Sequence, residues 1–470
     1  MGMQHSCNDA MKQNSRYRLV RTAFFRKVGK VVYVRNVATG EDFVFSKEAL
    51  PILNALRNGI TNRTIVFREQ KEFIHELCSL GIVSCEGDNG NQKSSSKQVA
   101  ERMMSLEDCL SNKDDIVMNL QEECRQKHLL WSAGLELTYR CNERCRHCYL
   151  DIHEEQTSSC ELSEKEWLKV VDQLARMGCM NVLVTGGEPT IHQAFLSICE
   201  HIIKRGMLCD VYTNGLDVSD ALFDSLCKLP LNSISVSLYS GSSKFHDNVT
   251  GVPDSFKKTL ANLLRFKSAG FDAYAKVPVF HKHLEDYFAA KKLGAKYGFR
   301  VLASTILVPG HSGKSRNPMM MNSSEYMEFL KRETAPNTSL ESPELIEKHM
   351  EEPICQAGQS TLCVSPFGDV MPCNSFPAVC GNIRKTPLPE IWRTSEIFGQ
   401  LRKLRRRDAS SRCAICHDIS YCTICPGASW NEAKGQIVPC SWSCEQTKVR
   451  ANFNRKSKQT TKRRNDEIDD

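Results

Sequence analysis

Between Leu135 and Val308, strand-like and helix-like runs alternate without interruption, and that alternation constrains the fold more than any other feature of the 470-residue chain. The strand candidates are Leu135–Tyr139, Asn181–Thr185, Cys209–Thr213, Ser233–Leu238, Ala273–Phe280 and Val301–Val308. Helical spacing covers Ser163–Met177, Ala194–Lys204, Ser219–Lys228, Ser255–Ser268 and Leu284–Tyr297, and Ser163 with Glu166 forms a capping box that fixes the first helix start. Strands joined through helices run parallel, because parallel neighbours need a crossover. The repeat predicts an α/β fold: a partial parallel (β/α)6 TIM-type barrel over residues 131–335. Chemistry in such barrels sits on the loops after the strands' C-terminal ends.

The loop after the first strand carries Cys141, Cys145 and Cys148. Three thiolates at this spacing can hold three irons of a cubane and leave the fourth without a protein ligand, where a 4Fe-4S cluster normally takes four cysteines. S-adenosylmethionine (SAM) can fill that position through its amino and carboxylate groups. A zinc loop or three incidental buried thiols are the alternatives from this loop alone. The second strand runs into Gly186, Gly187, Glu188 and Pro189. Two glycines let backbone approach a ligand closely, proline stiffens the exit, and Glu188 supplies an acceptor for an ammonium group.

The chain holds 23 cysteines, yet Met1 to Tyr17 is polar and shows neither a signal segment nor a membrane segment. The disulfide-rich secreted class is therefore not expected, and the thiols are expected in a reducing cytoplasm, as metal ligands, with no membrane role. The net charge of +7 is mild. Its basic residues gather in Arg402–Arg407 and in a polar tail, 453–470, expected to be disordered, so nucleic acid is not the expected partner.

Residues 17–85 read as a small winged-helix-like domain, with strands at Ala23–Val28, Val31–Arg35 and Asp42–Phe45. Two helices follow, one capped by Ser46 and stopped at Gly59, the other over Arg68–Leu80. This order resembles the RiPP recognition element, the peptide-binding domain of ribosomal-peptide maturation systems; a DNA-binding wing or a plain N-terminal extension is the alternative. Residues 86–130 read as a Gly/Asn/Ser-rich linker and a bridging helix around Gln98–Lys127.

With the loops in place, the central segment resembles a radical SAM enzyme. Cys141, Cys145 and Cys148 match the family's cluster motif, with His147 at its aromatic position and Tyr149 following, and Gly186 to Pro189 match the motif for the SAM amino group. Asn214, within Thr213–Gly215, ends strand three as in many members, Ser237 matches a position that contacts the SAM ribose, and Tyr239 stands where many relatives have Asp. Thr250 to Phe256 continue the similarity. The resemblance implies reductive cleavage of SAM to a 5'-deoxyadenosyl radical that abstracts a substrate hydrogen.

Residues 350–452 resemble the SPASM domain, an extension with two auxiliary 4Fe-4S clusters. By its interleaved pattern, Cys355, Cys363, Cys373 and Cys425 would bind one cluster and Cys413, Cys416, Cys422 and Cys444 the other. Two residues separate Cys422 from Cys425 where the family has three, and Cys440 competes with Cys444. A zinc ribbon at Cys413, Cys416, Cys422 and Cys425 is the local alternative. No Ser-His-Asp set or Walker loop appears, and no general base stands out; Lys276, His281 and Glu285 are candidates to border the barrel mouth, with surface or structural roles the favoured reading.

Together the parts resemble maturases of ribosomally made peptides. The resemblance implies SAM and three 4Fe-4S clusters, a precursor peptide with a leader as substrate, a flavodoxin or ferredoxin as reductant, and a thioether crosslink as the leading product. A sulfatase-type formylglycine maker, a small-molecule radical SAM enzyme and a zinc-stabilised winged-helix nucleic-acid binder are the other readings.

Overall fold

The computed structural model describes residues 16–28, 30–61, 65, 68–86, 113–150, 160–310, 317–333, 342–433 and 435–466. The chain divides into two compact units, Met1–Cys124 and Arg125–Asp470.

The N-terminal unit contains β1 (Arg16–Leu19), β2 (Ala23–Val28), β3 (Val31–Asn36), β4 (Glu41–Ser46), α1 (Ala49–Asn58), β5 (Ile60–Thr61), α2 (Arg68–Ser79) and β6 (Val83–Glu86). Strands β2–β3–β4 form an antiparallel meander with β4 at its edge, and β1 is flanked by β5 and β6. The first three expected strands are β2 to β4. Strands β1, β5 and β6 are too short to show a sequence period. Gly59 ends α1 at φ 83°, as expected, but Ser46 belongs to β4, and α1 starts after Glu48 with no side-chain cap. Val32, Val34, Leu53, Leu56, Leu77 and Ile82 form the fully buried centre, set by alternation on the strands and three-to-four spacing on the helices. Helix α3 (Lys113–Gln126) follows, and the expected linker at 87–97 and the first part of the bridging helix, 98–112, lie outside the described residues.

The C-terminal unit is built on β7 (Ser132–Glu136), α4 (Glu164–Arg176), β8 (Asn181–Thr185), α5 (Phe195–Lys204), β9 (Leu208–Thr213), α6 (Asp220–Leu226) and β10 (Ser233–Ser237). It continues through α7 (Ser243–Thr250), α8 (Ser255–Ser268), β11 (Ala273–Pro278), α9 (Leu284–Tyr297), β12 (Arg300–Ser304) and α10 (Ser323–Glu333). The six strands lie in sequence order and pair in parallel, an open, six-stranded partial barrel. Val182, Val184, Val211, Ile234, Val236, Ala275 and Val277 face the helices and are buried. Their alternates, such as Gly134, Asp210, Tyr212, Ser235 and Lys276, lie on the opposite, polar face. The Ser163 capping box forms as predicted.

After α11 (Pro343–Glu351), the chain adds β13 (Thr361–Val364), β14 (Asp369–Met371) and β15 (Gly381–Asn382) to the same sheet, with β13 parallel to β7. The sheet therefore has nine strands. Helices α12 (Leu388–Thr394), α13 (Glu396–Lys403), α14 (Pro426–Glu432) and α15 (Ser441–Asp466) complete the unit. The tail expected to be disordered from residue 453 instead continues α15 to Asp466, because Trp442, Val449, Ala451 and Phe453 are buried along it and Arg450 donates to the Tyr326 hydroxyl of α10. No described helix is long and apolar enough to cross a membrane.

Candidate active site

The three-cysteine loop leaves β7 and is held by the end of α7. The Arg144 and Arg146 amides donate to the Thr250 and Val249 carbonyls at 2.8 and 3.0 Å, and the Cys148 amide closes the loop onto the Cys145 carbonyl at 3.1 Å. Gly251 caps α7 in the left-handed region. The Asn214 amide nitrogen lies 3.9 Å from Cys141 Sγ, and the Tyr239 hydroxyl 3.5 Å from Cys145 Sγ.

Burial pushes the Cys141 thiol up to about 12 and the Cys145 thiol well above its ordinary value, with neighbouring acidic groups adding to it. A bound cation would favour their deprotonation, as it does for thiolate ligands generally. Among the described residues, no three His, Cys, Asp or Glu side chains converge on a single ion position. A cubane takes each thiolate on a different iron, which three thiols on one loop can supply.

Glu188 is fully buried, and burial raises its carboxyl pKa. Its Oε1 accepts from the Thr190 amide and hydroxyl and from the Thr213 hydroxyl, at 3.1, 2.6 and 2.8 Å, whereas among the described residues Oε2 accepts only the Asn214 amide, at 2.7 Å. Oε2 thus keeps acceptor capacity for a cation, which fits an ammonium. Pro189 opens a short 3-10 turn that Glu188 caps. The glycines act differently from the sequence expectation. A Cβ on Gly186 would overlap the Thr138 carbonyl and one on Gly187 the Arg140 carbonyl, so the close approach they permit is to the exit of β7. The Gly187 and Glu188 amides donate there, to Thr138 at 2.7 Å and Arg140 at 3.0 Å. The two loops are thereby bonded together.

Asn214 also donates to Asn142 at 2.7 Å, within the cysteine loop. Ser237 ends β10 and interacts with the Tyr239 hydroxyl. Tyr149 donates to Glu136 Oε1 at 3.0 Å and accepts from Asn374 at 3.4 Å. Sequence reasoning missed Glu136, which is fully buried, bonded by Tyr139 and Tyr149, and raised by burial to about 7. It also missed Glu143, raised by burial to about 7 and 3.2 Å from Cys145 Sγ. A charged residue inside an apolar strand, as Glu136 is, was the available signal. Of the residues suggested for the barrel mouth, Lys276 lies over the Tyr212 ring, while His281 pairs with Glu325 and Glu285 with Arg332.

The auxiliary cysteines sort by proximity. Burial raises the Cys355 thiol to about 12 and those of Cys363 and Cys373 well above their ordinary value; after burial, Cys425 acts on Cys355, Glu136 and then Cys373 act on Cys363, and Cys355 and Cys425 act on Cys373. Cys413 and Cys422 likewise act on both Cys416 and Cys444. Cys440 is instead buried beside Trp442 and Ala428, with Ser443 Oγ at 2.9 Å, and after burial the groups acting on its thiol are Ser443, Glu432 and Ser429. Gly134 on β7 makes room for Cys363 on β13, whose Sγ would lie 3.2 Å from an added Cβ.

Residues 135–292 match the Radical SAM superfamily, and residues 355–417 match SPASM, an iron-sulfur cluster-binding domain. The chain is 27% identical over 319 residues to an AdoMet-dependent heme synthase of Methanosarcina barkeri, covering 62% of this chain and 89% of that one. It is 25% identical over 320 residues to the antilisterial bacteriocin subtilosin biosynthesis protein AlbA of Bacillus subtilis, covering 66% and 70%. In fold it is similar to Streptococcus suis SuiB bound to precursor peptide SuiA, with a TM-score of 0.56, 16% identity, and coverage of 91% and 99%. Coverage of 91% is more than Arg125–Asp470 can supply, so the likeness reaches into the N-terminal unit.

Proposed function

Starting from a radical SAM enzyme with a SPASM extension, which these domains make the chain, we propose that it modifies a ribosomally synthesised precursor peptide. Cys141, Cys145 and Cys148 would hold the SAM-binding cluster, Glu188 the SAM ammonium, and Asn214, Ser237 and Tyr149 would border the rest of the cofactor. Once reduced, the cluster and SAM supply a 5'-deoxyadenosyl radical. The chain's own residues orient the groups around that chemistry: the Gly186–Pro189 loop is bonded to the cysteine loop, and Asn214 joins Glu188 to Asn142.

In this reading Cys355, Cys363, Cys373 and Cys425 bind the first auxiliary cluster and Cys413, Cys416, Cys422 and Cys444 the second, making three in all. The two neighbourhoods of thiols support that division. The product favoured is a thioether crosslink, for which an auxiliary cluster could accept an electron or hold a substrate thiolate. The compartment is cytoplasmic, and the reductant is a flavodoxin or ferredoxin.

The observation that carries the peptide assignment is in the N-terminal unit. Strand β4 is the edge of its meander, and Phe45 meets Phe73 of α2 edge-on at 5.4 Å, with Phe43 stacked beside it. An edge strand beside a half-buried aromatic surface suits a leader that adds as a further strand, with backbone bonds giving affinity and side-chain pockets giving specificity. Val44→Pro removes a strand donor from β4. Calorimetry with the leader peptide should show weakening by about a hundredfold, roughly 2.7 kcal/mol, while uncoupled formation of 5'-deoxyadenosine persists. Unchanged affinity in a folded variant would return this unit to a structural or DNA-binding role.

The similarity to heme synthases favours a second reading, a small-molecule substrate. That reading expects no leader affinity at all.

A further inference from the structure

Beside the cysteine loop lies an open hollow of about 540 Å³, lined among others by Arg146, Lys244, Phe245, Asn248, His283 and Met319. Its exposed charges are cationic. Arg146 follows Cys145, reaches Asn248 at 2.9 Å and is exposed, and Lys244 projects from the first turn of α7. The acidic groups at the rim are already engaged: Asp286 pairs with His283 at 3.0 Å and Glu325 with His281 at 2.8 Å.

Below the hollow, a row of rings leads inward. Phe245 stacks on His283 at 3.7 Å and meets Phe280 edge-on at 5.7 Å; Phe280 meets His147 at 5.1 Å; His147 meets Tyr239 at 4.8 Å. The Tyr239 hydroxyl then lies 3.5 Å from Cys145 Sγ. Phe245, Phe280, Tyr239, Met319 and Cys145 belong to one apolar cluster, so the floor of the hollow and the cluster-loop thiol share a single packed core.

From these observations we propose that the hollow is the docking surface of an acidic one-electron carrier protein, and that the Phe245–Phe280–His147–Tyr239 row is the route by which its electron reaches the cysteine loop. The inference rests on the proposed activity, since only a cluster that must be reduced needs a donor. The balance is one electron: the carrier is oxidised by one, the cluster is reduced by one, and no bond forms or breaks. Contiguous packed rings offer a shorter tunnelling path than solvent. The chain's net charge of +7 draws an acidic partner from a distance, and the local cations orient it.

The test uses the full-length, cluster-loaded enzyme and flavodoxin as the probe. In Lys244→Glu, calorimetry should show flavodoxin affinity weakened about tenfold, with a flatter dependence on salt. Reduction by flavodoxin hydroquinone, followed by bleaching of the cluster in stopped flow, should slow by a similar factor, while reduction by titanium(III) citrate stays as in wild type. Phe280→Leu, beneath the hollow and outside its lining, should leave flavodoxin affinity intact and slow only the reduction by flavodoxin. Wild-type affinity in the charge-reversed protein would overturn the docking surface, and wild-type reduction in Phe280→Leu would overturn the route. Loss of the citrate-driven reaction in wild type itself would instead count against the radical SAM activity, and the calorimetry would still decide the surface.

Discussion

Gly187→Ala probes the bonding between the two loops of the site. Gly187 has an ordinary φ, so the substitution adds no backbone strain, only a methyl group. That methyl would overlap the Arg140 carbonyl oxygen and stand 2.8 Å from both the Arg140 carbonyl carbon and the Tyr139 oxygen. Relief to a favourable contact of roughly 3.5 Å requires the backbones to part by about 1 Å. The bonds from Gly187 and Glu188 to β7's exit then stretch. Overpacking of this kind costs about 1–3 kcal/mol, and each hydrogen bond about 1 kcal/mol, so roughly 4 kcal/mol is at stake. That corresponds to about 10 °C in melting temperature. A misplacement of about 1 Å at Glu188 would lower SAM cleavage about a hundredfold. Gly399→Ala is the control: it sits inside α13 with nothing within 4 Å, and should gain about 0.5–1 kcal/mol from helix propensity. Differential scanning fluorimetry and a 5'-deoxyadenosine assay on the loaded proteins would measure both. A Gly187→Ala protein that melts and cleaves SAM like wild type would refute the reasoning.

Reconstituted protein should hold about twelve irons, and replacing Cys141, Cys145 and Cys148 with alanine should remove about four of them and all SAM cleavage; iron near four in a well-loaded wild type would contradict the auxiliary assignment. Cys444→Ala should cost one cluster while Cys440→Ala keeps its iron and loses only packing stability, as iron analysis and spectroscopy of the pair would report. Glu136, raised by burial from 4.5 to about 7, binds its proton more tightly folded than unfolded. Its contribution to stability should therefore fall by on the order of 3 kcal/mol as pH rises from about 4.5 to 7, so wild type should lose that much relative to Glu136→Gln in denaturation curves taken across the range. A Glu136→Gln curve parallel to wild type over the same interval would reject the assignment.

The partial barrel was legible because its signals are local: apolar alternates on each strand, helical spacing between strands, and a capping box at Ser163. Strand β7 begins three residues before its expected start at Leu135, since polar-face positions such as Ser132 and Gly134 carry no apolar signal. The short helix α7 escaped notice for the same reason, with mostly polar residues over Ser243–Thr250. The motif residues around Cys141 and Glu188 were also readable, but the role of Gly186 and Gly187 was not, because what they approach depends on a strand about 50 residues away. The Cys363–Gly134 contact was hidden likewise: it depends on the placement of β13 beside β7, a pairing across more than 200 residues that no local pattern encodes.

That pairing has a practical meaning for anyone dissecting the chain. Strand β7 is bordered by β8 on one side and β13 on the other, and it is also the strand whose exit carries the cysteine loop. A truncation ending near residue 335 would leave β7 as an open parallel edge with unmet amides and carbonyls, inviting aggregation. The auxiliary segment is a structural wall of the barrel, so neither half can be excised, exchanged for that of a relative or expressed alone without reopening the seam next to its cofactor loop.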